Sequence, residues 1–240
     1  MKNLISAADL IKKLENNEDI VLLDCRFNLL DRGYGAMAYL RAHIEGAYLI
    51  DVDKDLSAPL SKHGGFNPLA DPHELAAKLE KMGIDNNTHV VTYDEGDLNG
   101  ASKLMYQLMY IGIKNVDVLD GGLPAFVKAG GKLVSKVPEA NCTNKKISID
   151  LNKDMIVDID YIKSKLYDPD TIIIDSRSNE RYQGLVEPAY HKAGHIPSSK
   201  CYFFKDILND NFENGSFKDM DFLREHFKEL INSNKEVIFT

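Results

Sequence analysis

Two stretches of this chain share one pattern: "IVLLDCRFN" (20–28) and "IIIDSRSN" (172–179). Each is a run of apolar residues closed by Asp, one small residue and Arg. A continuous apolar run of this length reads as a strand buried on both faces. Further along, "AHIEGAYLIDVDKDL" (42–56) returns as "GHIPSSKCYFFKDIL" (194–208), and "THVVTYDEG" (88–96) returns as "KEVIFT" (235–240). Asp175 follows Asp24 by 151 positions, and His195 follows His43 by 152. Three anchors in one order at near-constant spacing define a tandem duplication whose second copy is cut short.

Within the first copy, Val21–Leu23, Tyr48–Ile50, Val90–Tyr93 and Val116–Leu119 read as buried strands. Helical patterns cover Pro72–Met82, Ala101–Ile111 and Pro124–Lys128, and an amphipathic helix pattern lies in the N-terminal stretch. Buried runs alternating with helices predict an α/β fold: two tandem domains, each a mostly parallel sheet flanked by helices, the second incomplete. The expected boundaries are 1–130, a linker at 131–150 where Lys, Gly and Asn replace apolar periodicity, and 151–240.

Composition narrows the function classes. The chain is 44% hydrophobic and 28% charged with a net charge of −8, which disfavours nucleic acid and anionic membranes as partners. The N-terminus lacks a signal-peptide core, and no run approaches membrane-spanning length. Cys25, Cys142 and Cys201 are far apart and form no CxxC pair, so neither a disulfide framework nor a zinc site is indicated. Cytoplasmic residence is the expectation.

In open α/β sheets, ligands collect beyond the carboxyl ends of the strands. A short loop from strand to helix can turn several N–H groups into an anion-binding cup, which also lowers the pKa of a thiol within it. In the first copy this loop is Asp94-Glu95-Gly96-Asp97-Leu98-Asn99-Gly100. Its acids would repel an anion, so the first copy reads as chemically silent. The second copy reaches the same strand end at Thr240.

The order "LLDCR…HIEGAYLID…GGFNPL…VVTYDEGDLNGA…VDVLDGG", then "IIIDSRSNERYQG…GHIPSS", closely resembles the two-domain rhodanese-type sulfurtransferases over nearly the whole chain. The resemblance implies two rhodanese-like domains, the N-terminal one inactive with an Asp heading its loop, as Asp94 does. It also implies a nucleophilic cysteine in the C-terminal domain, directly after the strand matching "EVIFT", hence immediately after Thr240. The implied activity moves a sulfane sulfur from thiosulfate or 3-mercaptopyruvate to cyanide or a thiol through a cysteine persulfide, with no metal or organic cofactor. Partners are then a small anionic sulfur donor and a thiophilic acceptor.

By the same resemblance, Arg181 in "SNERYQG" binds the donor, through two parallel hydrogen bonds to its anionic head. Its bland alternative is an ion pair with Glu180 or Glu187. Asp24, Arg26, Asp175 and Arg177 read as structural, as do His43 and His195 in loops before strands. Two departures matter. Asn67-Pro68-Leu69-Ala70 stands where many members have His-Pro-Leu-Pro, leaving only His63 nearby. Ala189 and Tyr190 follow Glu187-Pro188 where mercaptopyruvate-using members often carry a second Arg, which leans toward thiosulfate.

Other constellations fail. "DVDKDL" (51–56) opens like a calcium loop but has Leu56 where Gly is needed and Lys62 where Glu is needed. Gly33–Ala38 fits a loose dinucleotide pattern but reads as a loop. "HKAGH" (191–195) spaces two His four apart, with Gly194 and Pro197 opposing a helix. Cys25 and Cys201 read as packing residues, and Cys142 has no evident activator. Two rivals remain: a catalytically dead sensor or interaction protein, and a phosphatase of the same fold with a longer Cys-x5-Arg loop.

Overall fold

The structure, a computed structural model, describes residues 3–60, 65, 67–139, 144–209 and 215–240. His63 and Cys142 lie outside the described residues. The chain divides into two compact units, Met1–Lys153 with Asn211–Ser216, and Asp154–Asp210 with Phe217–Thr240.

The first unit runs β1 (Leu4–Ile5), α1 (Ala7–Glu15), β2 (Ile20–Asp24), α2 (Tyr34–Arg41), β3 (His43–Ile44), β4 (Tyr48–Leu49), α3 (Pro72–Glu80), β5 (His89–Tyr93), α4 (Asn99–Tyr110), β6 (Val116–Leu119), α5 (Gly122–Lys128) and β7 (Leu133–Val134). Five strands form one parallel sheet in the order β1-β6-β5-β2-β4. Both faces are covered, which is why the strands read as unbroken apolar runs. Side chains alternate across the sheet: Leu23 and Val90 enter one core with Leu79, Leu104 and Leu108, while Leu22 and Val91 enter the other with Leu10 and Phe126.

The N-terminal helix pattern resolves into a nine-residue helix between two strands. Ser6 caps it by accepting from Asp9 N (3.1 Å), and its apolar stripe buries Leu10. Three expectations need correction. Gly33–Ala38 is not a loop: Gly33 precedes α2, and the chain coils from Tyr34 onward. Gly35 is required there because a Cβ would fall on the Arg26 carbonyl oxygen. His43 is not in a loop either; it lies in β3, which pairs antiparallel with β7. The segment read as a linker is tied to the first unit by that pairing, by buried Ile147, and by Asp150 N donating to Ile111 O (3.1 Å). Asx turns use the acids of the calcium-like stretch internally: Asp51 Oδ1 accepts from Asp53 N and Lys54 N (both 3.1 Å), and Asp51 Oδ2 pairs with Lys54.

The second unit contains α6 (Ile159–Ser164), β8 (Thr171–Asp175), α7 (Asn179–Tyr182), β9 (Lys200–Cys201), α8 (Met220–His226), α9 (Lys228–Asn232) and β10 (Glu236–Phe239). Its sheet is parallel in the order β10-β8-β9, repeating the β5-β2-β4 order of the first unit. Register repeats too. Asp24 pairs with Leu49 and Tyr93, while Asp175 pairs with Cys201. Phe239 stands opposite Ile174, and Thr240 N donates to Ile174 O (2.8 Å). Cys25 N donates to Tyr93 O, and Ser176 N to Thr240 O, so Thr240 is the counterpart of Tyr93. Among the described residues, no helix is long and apolar enough to cross a membrane.

Candidate functional site

Both strand ends carry the same clamp. Arg26 closes back on Asp24 through Nε (3.0 Å) and Nη2 (2.8 Å), and Nη2 also donates to Ala42 O (2.6 Å). Arg177 does the same with Asp175 (3.0 and 2.6 Å) and with Gly194 O (2.7 Å). Burial alone would raise Asp175, but Arg177 outweighs it and holds the carboxyl below the usual carboxylate range. The carbonyls bound by the arginines belong to the residues just before His43 and His195. Each histidine then donates its Nδ1–H to the carbonyl of a tyrosine: His43 to Tyr39 O and His195 to Tyr182 O (both 2.7 Å). Each also stacks on that tyrosine's ring, with centroids 4.0 and 3.9 Å apart. The tyrosine hydroxyls donate to Ala47 O (2.8 Å) and Ser199 O (2.5 Å). These residues brace the loops, as the structural reading of Asp24, Arg26, Asp175, Arg177 and both histidines expects.

Sequence comparison missed the tyrosines because the copies place their long loop differently. Arg26 to His43 is 17 positions and Arg177 to His195 is 18, yet Tyr39 comes four before its histidine and Tyr182 thirteen before. In the first unit the extra chain precedes the tyrosine and contains α2. In the second it follows the tyrosine and contains Glu187. By this match Arg181, just before Tyr182, corresponds to Ala38, just before Tyr39.

The β5–α4 loop is an anion cup that contains its own anion. Asp94 is buried, and its carboxylate accepts from Gly96 N (2.9 Å) and Ala101 N (3.0 Å) at the start of α4. The acids therefore do not simply repel a ligand, as the composition of the loop suggested: one of them fills the place a ligand would take. Burial pushes the Asp94 pKa up to about 6, Asp97 adds to the rise, and the N–H groups of Ala101, Gly96 and Leu98 pull it back. Gly100 lets α4 start against β2, because a Cβ there would fall on the Cys25 carbonyl oxygen. Glu95 accepts from the Tyr34 hydroxyl (2.7 Å) and lies 3.7 Å from Arg26 Nη1.

Neither described cysteine has the environment of a nucleophile. Cys25 is fully buried, and desolvation together with Asp24 and Asp94 raises its thiol well above the usual range. Cys201 is half-buried, lies 3.5 Å from Arg177 O, and is raised by burial and by Asp175. No group of three or more His, Cys, Asp and Glu among the described residues is placed to hold a metal ion. Asn67 lines a cavity of about 750 Å³ in the first unit with Asp53, Asp55 and Lys78, the last two already paired.

Arg181 is found in an ion pair with Glu187: Nη2 donates to Oε1 at 2.8 Å. The same carboxylate accepts from Arg177 Nη1 (3.1 Å) and from Ala189 N (3.0 Å) and Tyr190 N (3.3 Å). Burial works against the charge of Glu187, but Ala189 N–H and Arg181 outweigh it and hold the carboxyl below its usual range. Arg181 Nε is buried with no hydrogen-bond acceptor among the described residues.

Fold and repeat together define a tandem α/β protein with a braced loop beyond each central strand. The rhodanese-like domain profile matches residues 6–129. A Pseudomonas aeruginosa protein named "Probable 3-mercaptopyruvate sulfurtransferase" is 35% identical over 95% of this chain and 79% of its own length. A Mycobacterium tuberculosis protein named "Putative thiosulfate sulfurtransferase SseB" is 31% identical over 82% of this chain and 68% of its own length. The crystal structure of SseA from Escherichia coli superposes with a TM-score of 0.82 at 24% identity, covering all of this chain and 88% of that one, which establishes a shared fold. The chain belongs to the rhodanese-type sulfurtransferase family.

Proposed function

We propose that the full protein moves a sulfane sulfur from thiosulfate, or 3-mercaptopyruvate, to cyanide or a thiol. The nucleophile in this reading is a cysteine at the position after Thr240. The observation that carries it is the ladder register. Thr240 is the counterpart of Tyr93, so the next position is the counterpart of Asp94, whose carboxylate is ringed by N–H groups. A thiolate in such a cup is stabilised as an anion and acts as a nucleophile. It attacks the outer sulfur of thiosulfate; the S–S bond breaks and its electron pair leaves with sulfite. The acceptor then attacks the outer sulfur of the persulfide, and the enzyme thiolate departs.

Arg181 is the donor-binding residue in this reading. Its support is that it stands at the braced loop of the second unit, keeps a buried Nε–H without an acceptor among the described residues, and corresponds to alanine in the first copy. Thiosulfate is favoured over 3-mercaptopyruvate as donor because Ala189 and Tyr190 supply no second cation. The test is thiosulfate:cyanide turnover by the full-length protein. Arg181→Ala is expected to raise KM for thiosulfate at least tenfold, the scale of one lost charge-assisted anion contact of about 1.5–3 kcal/mol. Unchanged turnover would remove Arg181 from the donor site.

A further inference from the structure

We propose that Glu187 is a positioning residue for the sulfur donor, acting through Arg181; this rests on the reading of Arg181 as the donor-binding residue. The Glu187 side chain is only 3% exposed, and its oxygens take N–H groups from two guanidinium groups and two backbone amides. A carboxylate held at four points is a fixed object. Arg181, by contrast, is a long side chain with high rotamer freedom, 27% exposed, on a four-residue helix. Pinning Nη2 to Glu187 fixes the direction of the guanidinium while leaving the buried Nε–H without an acceptor among the described residues. An anion taken up by that group meets a donor already oriented, so less ordering remains to be done on binding.

The chain path supports the assignment. Glu187 lies in the long loop that the second copy places after its tyrosine, and the first copy has no such loop there. The first copy also has Ala38 in place of Arg181, so the glutamate and the arginine occur together and only in the second copy. The Asp–Arg–carbonyl clamp, which both copies share, does not need Glu187: Arg26 makes it with Asp24 and Ala42 O, and the glutamate beside its Nη1, Glu95 at 3.7 Å, comes from the β5–α4 loop instead. Brace and positioning are therefore separable functions.

Positioning and simple charge predict opposite signs. Asp175, Arg177, Arg181 and Glu187 sum to zero, so deleting Glu187 adds one net positive charge, which by itself tightens an anion. Loss of orientation weakens it. In the full-length enzyme, Glu187→Ala is expected to raise KM for thiosulfate about tenfold with kcat within about twofold. In the Arg181→Ala background it is expected to do nothing further, since the coupled pair is already broken. Glu187→Asp keeps the charge but withdraws the carboxylate by one methylene, so the rise in KM persists in a variant that retains the ion cluster for folding. An unchanged or lower KM in Glu187→Ala or Glu187→Asp would overturn the proposal, as would a Glu187→Ala effect of full size without Arg181. If Arg181→Ala itself leaves KM unchanged, the donor-site reading is what fails, and the role of Glu187 falls with it.

Discussion

Replacing Asp94 by Asn isolates the charge that fills the first copy's cup. Burial raises this carboxyl from the usual 3.8 to about 6, so its ionised form is less favourable in the folded unit than in the unfolded chain. The stability tied to the protonated form is complete below about pH 4 and is lost as pH rises through about 6. Two pKa units correspond to about 3 kcal/mol. Asn at this position cannot ionise, keeps one oxygen for Gly96 N or Ala101 N, and turns an NH2 toward the other, losing about 1 kcal/mol of hydrogen bonding. The variant should therefore be about 1 kcal/mol less stable at pH 4 and about 2 kcal/mol more stable at pH 7. With no tryptophan in the chain, urea unfolding is best followed by hydrogen exchange over residues 89–110. All other titrating groups cancel in the difference between variant and wild type. A gap that stays constant from pH 4 to pH 7 would refute the claim that Asp94 is a buried, strained anion.

Three further outcomes follow from the same geometry. Arg26→Ala strands the buried Asp24 carboxylate and should cost about 3–5 kcal/mol in urea unfolding; Arg26→Lys should not restore it, because one ammonium cannot make the fork with Asp24 and also reach Ala42 O. Gly100→Ala forces α4 away from the end of β2 and should destabilise the first unit by about 1–3 kcal/mol, read in the same assay. Thiol labelling at pH 8 should leave Cys25 untouched until the unit unfolds and should modify Cys201 slowly, because both thiols are raised above their usual pKa.

The features legible in the chain were those written in local sequence. Ile20–Asp24 and Thr171–Asp175 announce buried strands by composition, and Asp-x-Arg closes on itself within three residues, so both survive a reading one segment at a time. Tyr39 and Tyr182 do not, because loops of different length displace them by eight to nine positions from the otherwise steady repeat offset. The occupied cup was hidden for another reason. Whether Asp94 repels an anion or replaces one depends on where Gly96 N and Ala101 N point, and no periodicity encodes that. β7 escaped notice because a two-residue strand beside His43 and Ile44 carries no pattern of its own. Glu187 was visible as one candidate partner of Arg181, but its simultaneous hold on Arg177, Ala189 and Tyr190 emerges only in three dimensions.

In the proposed reaction, sulfur is carried by the residue after Thr240, and Cys25 and Cys201 take no part in it. Incubating the full-length protein with thiosulfate and mapping the product by peptide mass spectrometry tests it directly. One added sulfur atom, released by cyanide or dithiothreitol and confined to the cysteine that follows Thr240, is the expected result. An added sulfur on Cys25, Cys142 or Cys201 instead, or a non-cysteine residue after Thr240, would contradict it.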